Sequence, residues 1–289
     1  MSIIPHVSFE FYPPKDIEAS FRLWDTVQML APFQPGFVSV TYGAGGGTRA
    51  LTHQAVTAIG RKAGLNVAAH LTCVAAPREE TLDIARAYHA AGVRDIVALR
   101  GDPPKGKSGF SPSNGGFASS VELIKALAQT GDFNLRVAAY PEVHPDSQGA
   151  ARDLDWLKAK IDAGATSAIT QFFFKADTFL RFRDRVLAAG IDFPIIPGIF
   201  PVENWAGVKA FAKRAGSLIP PVLDAAFSVA ARDGREELLS LTHCTQLCDQ
   251  LLSEGVEDLH FYTLNRPQLT RDTCLALGLK AKSTLQMVA

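Results

Sequence analysis

The chain has 289 residues, is 47% hydrophobic and carries 29 basic against 29 acidic side chains. It can therefore bury a large core, and its zero net charge gives no pull toward nucleic acid or an anionic membrane. Its four cysteines follow neither a disulfide-scaffold nor a zinc spacing. The start Met1-Ser2-Ile3-Ile4-Pro5-His6 lacks a signal peptide's basic region and apolar run, and no apolar run is long enough to span a membrane. A cytoplasmic location and small-molecule partners are expected.

In chain order, Val7 to Tyr12 alternates and stops at Pro13-Pro14, which predicts a first strand, followed by a helix from Ile17 to about Leu30. Phe37 to Tyr42 is a second strand, with a helix from about Arg49. Asn66 to Cys73 is a third, with a helix from about Pro77, Pro being favoured in a first turn. Arg94 to Arg100 is a fourth strand, ended by Gly101, Asp102 and Pro103-Pro104. The stretch Gly101 to Gly116 reads as a long loop, of the kind that is functional or mobile. A helix over Phe117–Gln129 precedes strand five, Leu135 to Tyr140. A helix through Leu154, Leu157 and Ile161 precedes strand six, Ser167 to Phe173. A helix over Thr178–Ala189 leads to strand seven, Pro194 to Ile199. Glu203 to Gly255 reads as all helical with a break near Pro220-Pro221; Cys244 and Cys248, one turn apart within it, read as core thiols. Asp258 to Thr263 is strand eight, and a closing helix covers about Arg271 to Leu277.

Polar residues near successive strand ends, Glu10, Thr41, His70, Asp102, Tyr140 and Gln171, are 29 to 38 residues apart, one β-loop-α-loop unit each time. This predicts an α/β chain folded as a (β/α)₈ TIM barrel with extra helices before the last strand, a single catalytic domain over residues 1–289. An open doubly wound sheet is the alternative. The barrel is favoured because a ring of strand-end polar residues suits one circular site better than a single crevice.

The strand interiors are apolar, as in a parallel sheet buried on both faces. Glu10, between Phe9 and Phe11, breaks that rule. It is either a rim carboxylate or one whose pKa is raised by desolvation, as a general acid requires, and the second reading is favoured. Asp102 lies where strand four leaves the core, and it either caps its loop, pairs with Arg100 or serves chemistry. His70 and His144 are the best-placed histidines, but they form no compact ligand motif, so no metal is expected. Gly43 to Gly47 suggests a dinucleotide fingerprint that fails at Thr48; a flexible βα loop is the better reading. Gln171 lies in an apolar aromatic run and must be satisfied by a structural hydrogen bond or a planar ligand. Phe211 reads as core by helical spacing. Asp153 and Lys160 lie two turns apart on one helix face, where charges are usually solvated.

Several motifs resemble the bacterial methylenetetrahydrofolate reductases. They are Ser8-Phe9-Glu10-Phe11-Tyr12-Pro13-Pro14, Val38-Ser39-Val40-Thr41-Tyr42-Gly43, Leu99-Arg100-Gly101-Asp102, Ala139-Tyr140-Pro141-Glu142-Val143-His144-Pro145, Ile169-Thr170-Gln171-Phe172-Phe173-Phe174, Ile196-Pro197-Gly198-Ile199 and His260-Phe261-Tyr262-Thr263-Leu264-Asn265-Arg266. They run collinearly across the chain. The resemblance implies FAD at the C-terminal face of the barrel. It also implies reduction of 5,10-methylenetetrahydrofolate to 5-methyltetrahydrofolate by NADH or NADPH in a ping-pong cycle. By matching position, Glu10 would be the general acid and Asp102 would stabilise the folate cation beside the flavin. Thr41, His70, Arg100, Gly101, Asp102, Phe117, Ala118, Ala138, Tyr140, His144, Asp153 and Lys160 would contact FAD. Gln171, Phe211, Tyr262, Leu264 and Arg266, with Glu10, would line the substrate site. A homo-oligomer is expected from the same resemblance. Trp156, Ala159 and Gly207 depart from the best-known relatives. A folate- or flavin-binding protein without catalysis and a tetrahydrofolate-dependent methyltransferase are the competing readings. The complete Glu10, Asp102 and Gln171 set speaks against the first, and tightly bound FAD would exclude the second.

Overall fold

A computed structural model describes residues 4–42, 49–74, 76–101, 112 and 115–282. Strand β1 (His6–Phe11) ends before Pro13-Pro14, and the Asp16 carboxylate caps helix α1 (Ile17–Leu30) by accepting the Ala19 N–H at 2.7 Å. The wall continues with β2 (Phe37–Val40), α2 (Arg49–Ala63), β3 (Val67–Thr72), α3 (Arg78–Ala90) and β4 (Asp95–Leu99). It is followed by α4 (Ser120–Thr130), β5 (Asn134–Ala139), α5 (Ala150–Asp162), β6 (Ser167–Thr170) and α6 (Ala176–Ala188). Strand seven departs from expectation. Pro197 has no N–H to donate, so it divides the segment into β7 (Ile195–Ile196) and β8 (Gly198–Ile199). After α7 (Trp205–Ala215), α8 (Pro221–Arg232) and α9 (Glu236–Ser253) come β9 (Asp258–Tyr262) and α10 (Gln268–Ala276).

Other boundaries also shift. The helix expected from Phe117 begins at Ser120, because the Ser119 hydroxyl caps it by accepting the Glu122 N–H. Phe117 is instead a core residue, fully buried. The 203–255 stretch breaks a second time, at Asp233-Gly234-Arg235, where Gly234 takes a positive φ of 65°. Cys244 and Cys248 are buried thiols, as expected.

All strand pairs are parallel, in the order β7-β6-β5-β4-β3-β2-β1-β9-β8. Since only Pro197 separates the two ends of that series, β7 bonds β6 on one side while β8 bonds β9 on the other. The His260 N–H donates to the Pro197 carbonyl at 3.0 Å. The sheet thereby closes as an α/β barrel of the TIM type, with extra helices before the last strand.

Alternation sorts the side chains. Val7, Phe9, Phe11, Val38, Val40, Val67, Ala69, Leu259 and Phe261 face outward and pack with Leu23, Val27, Leu30 and Leu251 of the helices. The other phase points into the barrel. Phe37, Ala68, Val97, Ile169 and Ile196 form an apolar plug there. Towards the strands' N-terminal ends the plug is closed by Asp95, which pairs with Arg136 at 2.7 Å and accepts from the Asn66 amide at 3.1 Å. The Arg136 guanidinium lies 3.8 Å from the centroid of the Phe37 ring, which itself stacks on His260 at 5.4 Å. No helix among the described residues is long and apolar enough to cross a membrane.

Candidate active site

The opposite, C-terminal ends of the strands carry the residues singled out from sequence. Glu10 and Tyr262 are register partners on adjacent strands, so they share the inward face. His70 reaches Glu10 from β3, past the intervening β2: its Nε2 lies 3.5 Å from Glu10 Oε2. Desolvation by burial is the cause of both shifts here. It pushes the Glu10 carboxyl up to about 8 and the His70 imidazolium down to about 3. At neutral pH the pair is therefore a protonated acid facing a neutral imidazole. Tyr12 and Tyr262 are also held in the phenol form, first by burial and then by the neighbouring Glu10 charge. The Tyr262 hydroxyl donates to the Thr170 carbonyl at 2.6 Å. Gly198 permits this approach, since a Cβ there would stand 2.5 Å from the Tyr262 ring.

The loop after β9 is pinned to the one after β1. Thr263 donates to the Glu10 carbonyl at 2.6 Å, and Asn265 both accepts from the Tyr12 N–H and donates to its carbonyl. Leu264 and Asn265 are held in the left-handed region, with φ of 51° and 54°. A β-branch-free but non-glycine residue is uncommon there, and such backbone persists where surrounding contacts impose it.

A cationic group occupies the ends of β4 and β5. Arg100 pairs with Asp146 at 2.8 Å, and the Lys160 ammonium turns inward from α5 to donate to the Ala138 carbonyl at 2.7 Å. The solvated-surface reading of Lys160 is thus corrected: its pKa is pushed down to about 8, by burial first and also by Arg100, with Asp153 opposing. Asp153 accepts the His144 N–H at 2.9 Å, and the Tyr140 ring meets His144 edge-on at 4.5 Å. The His144 imidazolium is disfavoured by burial and by Arg100. Gly101 has φ of +85°, and a Cβ there would clash with Thr72 and Val74 at 2.9 Å, so only glycine fits.

A third group is aromatic. Phe211 is half-buried and stacks on Phe172 at 5.4 Å, with Phe200 at 5.8 Å and the Arg214 guanidinium 5.3 Å from its centroid. Leu264 packs on the same cluster. The Gln171 side-chain carbonyl accepts the Phe172 N–H at 3.0 Å, which orients the amide. Arg266 stands close enough to Glu203 to oppose the rise that burial gives that carboxyl. Thr41 closes the end of β2, its N–H on the Phe11 carbonyl at 2.9 Å.

Some expected site residues are placed elsewhere or not described. The Phe117 ring is buried in the wall beneath the Arg78 guanidinium, 4.4 Å away, and the Ala118 N–H donates to Glu122. Asp102 and residues 43–48 and 103–111 lie outside the described residues. Sequence reasoning passed over His260, which shares the inward face with Tyr262 and meets Ser8 at 2.8 Å. The alternation of Asp258-Leu259-His260-Phe261-Tyr262 carried that signal. It also passed over Gly198, whose need appears only once Tyr262 is in place.

Comparison with known proteins follows the same residues. The family model for methylenetetrahydrofolate reductase matches residues 4–278. The 5,10-methylenetetrahydrofolate reductase of Escherichia coli (strain K12) is 45% identical over 276 residues, 95% of this chain and 91% of that one. That of Salmonella typhimurium is 44% identical over the same length and shares. Arabidopsis thaliana methylenetetrahydrofolate reductase (NADH) 1 is 34% identical across 96% of this chain but only 49% of its own. Among solved structures, an uncharacterised Clostridium thermocellum protein that binds two copies of 5-methyl-5,6,7,8-tetrahydrofolic acid superposes with a TM-score of 0.59 at 14% identity. That match covers 96% of this chain and 94% of the other, and it supports the fold alone. With the family model spanning nearly the whole barrel and relatives this similar over nine-tenths of their length, the chain belongs to the methylenetetrahydrofolate reductase family, a family of oxidoreductases.

Proposed function

We propose that this chain reduces 5,10-methylenetetrahydrofolate to 5-methyltetrahydrofolate with NAD(P)H as electron donor and FAD as resident cofactor. The donor and the folate would use the same face in turn. The observation that carries this reading is the burial of the Glu10 carboxyl inside the barrel mouth, where desolvation pushes its pKa up to about 8 and favours the acid form. An amine leaves poorly without a proton, and a buried carboxylic acid supplies one at neutral pH. Glu10 would give its proton to the folate N10, opening the five-membered ring to an iminium ion, and Asp102 would supply the counter-charge.

The residues present fit FAD. Arg100 and Lys160 converge beside His144 at the ends of β4 and β5, a cationic corner matched to a diphosphate. Thr41, His70, Gly101, Asp102, Phe117, Ala118, Ala138, Tyr140 and Asp153 complete the set that would hold the cofactor. When bound, the flavin would carry the hydride between NAD(P)H and the folate. Gln171, with its amide oriented by the Phe172 N–H, would hydrogen-bond the pterin, and Phe211 would stack on folate or nucleotide. Tyr262, Leu264 and Arg266 would close the site from the last strand.

The test is Glu10→Gln, studied by stopped-flow absorbance of the flavin. Reduction by NAD(P)H is expected to stay within about tenfold of the parent, while reoxidation by methylenetetrahydrofolate falls by ~10²–10⁴-fold, the span of general acid catalysis. A folate half-reaction at parental rate would remove Glu10 from the role.

A further inference from the structure

The inside of the barrel holds buried polar atoms to which the contacts described so far give no hydrogen-bond partner. Ser39 Oγ, His70 Nε2 and His260 Nε2 are buried and have no hydrogen-bond partner among the described residues. A buried polar atom left unpaired costs about 1–3 kcal/mol, so each such atom in a folded chain calls for a reason. Ser39 is the register partner of Glu10 on β2, and His260 meets Ser8 through its other ring nitrogen, Nδ1, at 2.8 Å. For His70 a partner is nearly in place: the Glu10 carboxyl oxygen is 3.5 Å from Nε2, at the edge of bonding distance.

We infer that His70 is a positioning residue for Glu10, its Nε2 accepting the O–H of the protonated carboxyl and so holding the acid proton in one orientation until the folate takes it. This polarity takes the His70 tautomer with its hydrogen on Nδ1, so that the Nε2 lone pair faces the Glu10 oxygen 3.5 Å away. Burial favours the neutral form of both groups, which puts the proton on the carboxyl and leaves the imidazole uncharged. A rotation of the Glu10 carboxyl closes the remaining gap. The bond satisfies the orphaned Nε2 and stabilises the acid form over the carboxylate. His70 sits mid-face on β3, flanked outward by Ala69 and Leu71 in the packed wall, so its ring is fixed by the strand and not by a loop. The inference rests on the reading of Glu10 as the acid, but its direct readout does not.

That readout is the infrared carboxyl C=O stretch of the purified full chain, assigned as the band lost in Glu10→Gln. His70→Phe keeps the ring volume without an acceptor. His70→Gln places an amide oxygen near the position of Nε2, and His70→Asn stops short, near Nδ1. The expected result is a band at the frequency of a hydrogen-bonded acid in the parent and His70→Gln, and of a free acid in His70→Phe and His70→Asn. In single turnovers, reoxidation by methylenetetrahydrofolate should fall roughly tenfold in His70→Asn, the size of one lost hydrogen bond, and recover to within about threefold of the parent in His70→Gln. If His70→Phe does not fold, the Asn and Gln pair decides. A band unmoved by all three substitutions overturns the inference, and a band moved by Tyr262→Phe instead assigns the bond to Tyr262. A moved band with an unchanged Glu10→Gln folate half-reaction keeps the bond and removes the acid role.

Discussion

Lys160 of α5 and Ala138 of β5 are joined by a 2.7 Å hydrogen bond from ammonium to backbone carbonyl, which turns a helix cation back over the barrel mouth. Burial holds its pKa near about 8 against the ordinary 10.5. The unfolded chain then binds the proton more readily, so the cost of this lysine is fully present below pH 8 and is relieved as pH rises toward 10.5. A diphosphate beside Nζ would restore the charge. FAD affinity is therefore expected to fall as pH rises through 8 and, at neutral pH, to drop about ten- to a hundredfold in Lys160→Ala. Titration of FAD into the apo-protein at neutral and alkaline pH measures both. An affinity unaffected by the substitution would place the diphosphate elsewhere.

Glu10 contributes to stability with the opposite slope. Its folded pKa of about 8 lies above the ordinary 4.5, so between those values the folded chain keeps a proton that the unfolded chain has released. Stability attributable to Glu10 is intact below pH 4.5, declines as pH rises, and is lost above pH 8. Glu10→Gln is expected to match the parent in acid and to exceed its unfolding free energy by roughly 3–5 kcal/mol at alkaline pH. Denaturant titrations across that range check it; a pH-independent difference would mean that the carboxyl is ionised throughout.

Gly198 and Tyr262 test the shape of the mouth. A Cβ at position 198 would come within 2.2 Å of the Thr170 carbonyl oxygen, a backbone atom that cannot step aside. Gly198→Ala is expected to cost about 1–3 kcal/mol of stability through overpacking and to raise the KM for folate by displacing Tyr262. Tyr262→Phe removes one hydrogen bond to Thr170 and should cost only about 1 kcal/mol. Equal effects of the two substitutions would show that the phenol hydroxyl, not the ring's position, is what Gly198 protects.

The Asp95–Arg136 pair predicts a separation of stability from activity. Asp95 is 2% exposed and the pair spans 2.7 Å at the end of the barrel away from Glu10. Asp95→Ala leaves a buried guanidinium uncompensated and is expected to cost about 3–5 kcal/mol, most of it recovered in the apolar double variant Asp95→Leu/Arg136→Met. The KM for folate in the folded fraction should not change. Chemical denaturation combined with steady-state kinetics measures both, and a changed KM in either variant would couple the two ends of the barrel.

Much of this architecture is written locally. Alternation in Ser8-Phe9-Glu10-Phe11 separates the inward from the outward face, Pro13-Pro14 stands beyond the end of β1 because proline cannot continue a strand ladder, Pro220-Pro221 opens α8 because proline suits a first turn, and collinear motifs carry the family. Boundaries differ where single residues override composition: the Ser119 and Asn204 side chains cap α4 and α7 and set where they start, and Pro197, with no N–H to donate, divides one strand into two. What tertiary structure alone decided is adjacency across the barrel. Periodicity says that His70, Glu10 and His260 point inward, but not that Nε2 of one stops 3.5 Å from the carboxyl of another. That distance follows from closure, in which β1 pairs with β9 some 250 residues away and register sets every cross-barrel neighbour. The inward turn of Lys160 is of the same kind. Its spacing from Asp153 is local, but the carbonyl it reaches belongs to a strand that only the folded sheet brings beneath it, and burial at that place is what moves its proton.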